Sequence, residues 1–118
     1  MTHAALVGID FGKIDFEASL EELSLLAQSA GANPVVTLTG RRSAPDAKMF
    51  VGSGKAEELR LACEANDIEI VIFNHALAPA QQRNLEQALN RRVIDRTSLI
   101  LDIFAQGAGR TEGKLQVE

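Results

Sequence analysis

A chain of 118 residues is the size of one domain, and 46% hydrophobic content without Trp or Tyr implies a core of Leu, Ile, Val, Ala and five Phe. Net charge −4 excludes a surface that binds nucleic acid all over, and one Cys with two His excludes both an internal disulfide and a zinc cluster. No run approaches the ~18 apolar residues of a membrane span, and no basic stretch leads into an apolar one at the N-terminus, so the cytoplasm is the expected location.

Ala4 to Ile9 is a continuous apolar run ending at Asp10, which suits a strand covered on both faces of a parallel sheet. Ser19-Leu20-Glu21-Glu22 reads as a capping box with Ser19 as N-cap. Leu20, Leu23, Leu26, Ala27 and Ala30 then recur at helical spacing, and Gly31 stands where a left-handed C-cap belongs. A second strand is expected over 34–39, followed by a loop to Ala47. Gly52-Ser53-Gly54 turns into a helix from Lys55 to Asn66, whose apolar face holds Leu59, Ala62 and a buried Cys63. A third strand over 68–73 ends at Asn74-His75. Pro79 opens a further helix, at the position where a missing N–H does no harm. A fourth strand follows over 92–94, and Thr97 or Ser98 can cap a last helix through Leu99, Ile100, Ile103 and Phe104. Strands alternating with helices predict an α/β fold: a small four-stranded, mainly parallel sheet flanked by helices on both faces.

Charge is spread unevenly. Residues 1–31 hold one base against five acids, whereas residues 32–60 hold five bases against three acids. Basic pairs stand at Arg41-Arg42 and Arg91-Arg92, the latter extended by Arg96; such pairs are solvated surface or phosphate contacts. Gly52-Ser53-Gly54-Lys55 invites a phosphate-loop reading, because glycines before a helix let backbone N–H groups approach an anion. A full phosphate loop needs Gly where Met49 stands and Ser or Thr where Ala56 stands. The alternative is a tight turn with Lys55 solvated. Gly52, Gly54, Lys55, Arg91, Arg92 and Arg96 are therefore the candidate anion or RNA contacts. His75 ends a strand at the edge where parallel sheets collect ligands, yet no nucleophile or second metal ligand is fixed to it by spacing. Asp95 is explained by capping, and Arg96 by a pair with Asp95, a carboxylate on a neighbouring loop, or RNA phosphate. No catalytic residue and no metal ligand emerges from the pattern.

Several ungapped blocks, in order, carry a family resemblance. They are Phe50-Val51-Gly52-Ser53-Gly54-Lys55-Ala56-Glu57-Glu58-Leu59, the turn Asn74 to Pro79, the helix Gln81-Gln82-Arg83-Asn84-Leu85-Glu86, and the stretch Ile94-Asp95-Arg96-Thr97 through Phe104-Ala105-Gln106. Together they resemble the N-terminal domain of the HflX family of ribosome-associated GTPases. The resemblance implies an α/β domain over 1–106 and the start of a truncated helical arm over 107–118. It also implies a larger protein that binds the large ribosomal subunit, through its rRNA, and can separate ribosomal subunits. GTP and Mg²⁺ would belong to a G domain that these residues do not include, and the domain's own partners would be that G domain and the arm. One departure stands out: the family commonly has arginines after Phe-Ala-Gln, whereas Gly107-Ala108-Gly109 follow here. Each glycine weakens a helix by about 1 kcal/mol relative to Ala.

Three functions compete. The first is a non-catalytic module that docks on or regulates contact with the large ribosomal subunit. The second is a small ATP- or GTP-binding domain using the turn from Gly52 to Lys55. The third is a purely structural scaffold for the arm.

Overall fold

The computed structural model describes the backbone of residues 1–112 and the side chains of residues 1–106. The elements in chain order are β1 (Thr2–Asp10), α1 (Phe16–Ser29), β2 (Ala32–Arg41), α2 (Ser53–Ala65), β3 (Ile70–Phe73), α3 (Pro79–Leu89), β4 (Arg92–Asp95) and α4 (Arg96–Glu112). The strands form one sheet in the order β2-β1-β3-β4, and every pairing is parallel. The expected α/β architecture is the observed one.

Period-two alternation in β1 explains the layers. Ala5, Val7 and Ile9 pack with Leu59 and Cys63 of α2 and Leu85 and Leu89 of α3. Ala4 and Leu6 point the other way, onto Leu23 and Ala27 of α1 and Leu99 of α4. Both faces are covered, which is why Ala4 to Ile9 carries no polar residue. Gly8 lies on the α1 side, where an added Cβ would come 2.6 Å from Leu20 Cδ1. Its missing side chain lets the first turns of α1 lie close on the sheet.

Boundaries differ from the expected ones for identifiable reasons. β2 runs over Ala32–Arg41 because its backbone pairs along the whole of β1. Pro34 has no N–H for the ladder, and the register shifts beside it: Ala4 faces Pro34 while Ala5 faces Val36. β3 starts only at Ile70, because Ile68 N–H donates to Cys63 O (3.0 Å) and so finishes the turn after α2. Ile68 is nevertheless core. Ser19 is no N-cap: α1 begins at Phe16, after Asp15, so Ser19 and Glu22 lie within the helix. Gly31 fits its expected role, with φ +88° and its N–H donated to Gln28 O (3.0 Å). α4 begins at Arg96, ahead of Thr97 and Ser98, and the cap is Asp95, whose Oδ1 accepts the N–H of Ser98 (2.9 Å). α4 also crosses Gly107 and Gly109 without interruption. The expected arm over 107–118 lies, in its part 113–118, outside the described residues.

α3 seals one edge of the sheet. The outward backbone of Val93 in β4 is taken up by α3 side chains: Glu86 Oε2 accepts its N–H (3.1 Å) and Gln82 Nε2 donates to its carbonyl (2.8 Å). Unpaired strand edges invite pairing with other chains, and these two contacts remove the invitation. Gln81 and Asn84 of the same helix donate to Asp46 O and Lys48 O (both 2.9 Å), holding the loop before α2.

Candidate functional site

The chain leaves β1 toward β2 on one side and reaches β3 on the other, so the switch point of the sheet lies at the carboxyl ends of β1 and β3. Ligands of open parallel sheets collect at such a point. A cleft of about 190 Å³ is found there, lined by Phe11, Lys13, Asp15 and Phe16 after β1, Ser19 of α1, and Asn74 and His75 after β3.

Its polar floor is an internal network. Asn74 is 8% exposed and donates from Nδ2 to Ser19 Oγ (3.0 Å), while its Oδ1 accepts from Arg96 Nη1 (2.7 Å). Arg96 Nη1 also donates to Ser19 O (3.2 Å), and Nη2 pairs with Glu22. Arg96 thus ties α4 to α1 and to the end of β3. Of its expected partners, the carboxylate on another element is the one found, and that element is a helix. Asp95 is occupied elsewhere: its Oδ2 accepts the N–H of Leu77 (2.8 Å).

His75 is held by its neighbours as well. Its Nε2 accepts the N–H of Ile9 (2.9 Å), its ring stacks on Phe50 at 5.0 Å, and Phe11 meets it edge-on at 5.4 Å. Burial pushes its pKa below the usual 6.5, which keeps the imidazole neutral and able to accept. Phe50 adopts φ +70°, rare for a bulky residue. Paired 2.9 Å hydrogen bonds with Asp46 and the aromatic packing hold it there.

The glycine turn forms a second cleft, of about 220 Å³, lined by Gly40, Arg41, Arg42, Val51, Gly52 and Lys55. Gly52 is the N-cap of α2 in extended conformation, no side chain caps this helix, and neither Gly52 nor Gly54 has positive φ. What Gly52 provides is room: an added Cβ would lie 3.1 Å from Arg42 Nη1. Lys55 is not simply solvated, because its Nζ donates to Thr39 O (2.9 Å) and pairs with Glu58 (3.0 Å).

The candidate contacts therefore do not form one surface. Gly52, Gly54 and Lys55 gather with Arg41 and Arg42 at the carboxyl end of β2. Arg96 points into the switch-point network. Arg91 and Arg92 stand at the opposite end of the sheet, where Arg91 donates to the carbonyls of Ile68 (2.6 Å) and Asn90 (3.1 Å), and Arg92 is exposed. Among the described residues, no three His, Cys, Asp or Glu side chains cluster to hold a metal, and no helix is long and apolar enough to cross a membrane. Sequence reasoning passed over Lys13, Asp15 and Phe16 as site residues; the signal was available, since they follow a strand at the switch point. The partner of Asn74 and Arg96 was hidden, because Ser19 and Glu22 fit a local capping pattern.

Residues 17–105 match the family described as GTP-binding GTPase N-terminal. The GTPase HflX of Escherichia coli is 52% identical over 115 residues, covering 98% of this chain and 27% of that relative. The GTPase HflX of Alkalihalophilus pseudofirmus is 45% identical over 118 residues, covering 98% of this chain and 28% of the relative. Among solved structures, the complex of SsGBP with GDP superimposes with a TM-score of 0.71 at 25% identity, covering 92% of this chain and 30% of that one. The chain thus spans between a quarter and a third of the length of these proteins. It belongs to the GTP-binding GTPase N-terminal family, as a domain of the HflX type.

Proposed function

We propose that this domain is the non-catalytic N-terminal module of an HflX-type GTP-dependent factor that docks on the large ribosomal subunit in the cytoplasm. Family membership is the observation that carries the reading. GTP and Mg²⁺ belong, on this reading, to the remainder of a full-length HflX protein. The residues here do not fit a GTP site: Met49 and Ala56 occupy the positions of the phosphate-loop Gly and Ser/Thr, and Lys55 is engaged by Thr39 and Glu58.

For the rRNA contact, the corner around Gly52, Gly54 and Lys55 is favoured over Arg91 and Arg92. Arg41, which pairs with Asp10 at 3.6 Å but keeps its side chain 85% exposed, and Arg42, which spends only its Nε on Ala44 O (2.9 Å), add charge beside the uncapped N-terminus of α2, where backbone N–H groups attract anions. At the other end of the sheet Arg91 is bound to backbone carbonyls, which leaves Arg92 as the exposed base there. Arg96 contributes by holding the switch-point loops rather than by touching phosphate.

Co-sedimentation of the full-length protein with large subunits at two salt concentrations tests the reading. Arg41→Glu with Arg42→Gln is expected to weaken association and to lower the salt slope by about 1 for each phosphate that is no longer neutralised. Arg92→Glu is expected to change it little. Identical sedimentation of wild type and the double variant at both salts would sink the phosphate contact at this corner.

A further inference from the structure

A helix laid on a sheet ordinarily turns an apolar stripe inward and a charged one outward. α1, α2 and α3 turn charged or polar faces outward, with Glu17, Glu21 and Glu22, then Glu57, Glu58 and Glu64, then Arg83 and Gln87 exposed; the large apolar side chains they expose are single ones, Leu25 on α1 and Leu61 on α2. α4 does not. Leu99 is buried and Ile103 packs into the same cluster, yet Ile100, Leu101 and Phe104 are 43%, 62% and 77% exposed. Positions 97, 100, 101 and 104 share one helical line, spaced as side chains on a single face are. From Thr97 to Gln106 the only charged residue is Asp102, and it lines a cleft with Ala30 and Gly31 instead. Single exposed apolar residues are ordinary, but three on one uncharged helix face mark a surface meant to be covered.

The occupant follows from where α4 stands. It is the last described element, and the matched region is the N-terminal part, by family description, of relatives of which it covers 27–28%. Most of a relative's chain therefore follows this helix. A segment tethered to α4 meets the stripe at an effective concentration that a separate molecule does not reach. We propose that Ile100, Leu101 and Phe104 form an intramolecular docking surface for the polypeptide that follows α4 in an HflX-length protein. The complementary surface is an apolar helix face, because side chains three and four apart pack as ridges into the grooves of another helix. The inference rests on the family reading but not on ribosome binding.

The test uses a full-length HflX chain headed by these residues, without ribosomes. Leu101→Cys and Phe104→Cys are compared, one at a time, with Gln87→Cys on the charged face of α3; Cys63, buried, is the internal blank. Thiol labelling at 101 and 104 is expected to be slower than at 87 by about tenfold or more, as for sites that react only through local opening. The ratio should not change with protein concentration. Hydroxyl-radical footprinting of the wild type reads Leu101 and Phe104 without removing a docking side chain, and should show the same protection. Equal labelling and footprinting at all three positions overturns the proposal. Protection that disappears on dilution assigns the stripe to a second copy, and protection seen only after large subunits are added assigns it to the ribosome; either result also overturns it. Failure to bind ribosomes leaves the stripe's protection as it is, so the two readings fail separately.

Discussion

A neutral His75 is what its surroundings require, since only an unprotonated Nε2 can accept the N–H of Ile9. Burial lowers the folded-state pKa below 6.5, so the unfolded chain binds the proton more readily. His75 therefore leaves stability undiminished above pH 6.5 and lowers it as the pH falls from there through the folded-state pKa. Urea unfolding between pH 7.5 and 5 should show that decline, and His75→Gln, which keeps an acceptor and does not titrate, should flatten it. An unchanged decline in the variant would place the titrating group elsewhere. Arg96 yields a second expectation. Arg96→Ala strands the Oδ1 of a buried Asn74 and should cost about 2–3 kcal/mol in chemical denaturation. Glu22→Ala should cost far less, because the Glu22 side chain is 63% exposed and surface ion pairs contribute little. Equal losses in the two variants would mean that the ion pair, rather than the buried amide, carries the energy.

Asp95 shows how one side chain sets two elements. Its carboxylate takes the N–H of Leu77 in the approach to α3 and the N–H of Ser98 in the first turn of α4. Asp95→Ala should destabilise by about 2 kcal/mol, and Asp95→Asn by about half as much, since the amide keeps one acceptor. Thermal unfolding checks both, and a neutral Asp95→Ala would show that water replaces the two bonds. The elements themselves could be read from the sequence, because apolar runs and 3.6-residue spacing record burial, and burial here follows the sheet's two faces. Their ends were harder to read. Ser19 and Glu22 carry the local signature of a cap, but their partners, Asn74 and Arg96, come from the turn after β3 and from α4, far along the chain. Phe50 gave no sign of its left-handed backbone, which Asp46 and the neighbouring rings impose after folding. Gln81, Gln82 and Asn84 read only as helix surface, although they hold a loop and seal β4.

Across the whole molecule, the polar groups at the carboxyl edge of the sheet hold loops together. Lys55 fastens the start of α2 to β2, Arg96 and Asn74 fasten α4 to α1, and His75 fastens the loop after β3 to β1. The switch-point and glycine-turn clefts, about 190 and 220 Å³, fall short of the roughly 300 Å³ at which small-molecule sites usually begin. Phosphoryl transfer needs a phosphate cradle with its Lys free to reach the anion, and a Mg²⁺-binding hydroxyl beside it. Here that Lys is bound to a carbonyl and a carboxylate, and Ala56 stands where the hydroxyl would be. The 118-residue chain is therefore expected to show no sustained GTP turnover. Lys55→Ala should instead lower stability by about 0.5–1 kcal/mol, the worth of one partly exposed hydrogen bond and a surface ion pair. Phosphate-release assays beside denaturant melts separate the outcomes. Turnover by the wild-type chain that disappears in Lys55→Ala, with the melt unchanged, would make the glycine turn a working nucleotide site and remove the basis for reading this domain as non-catalytic.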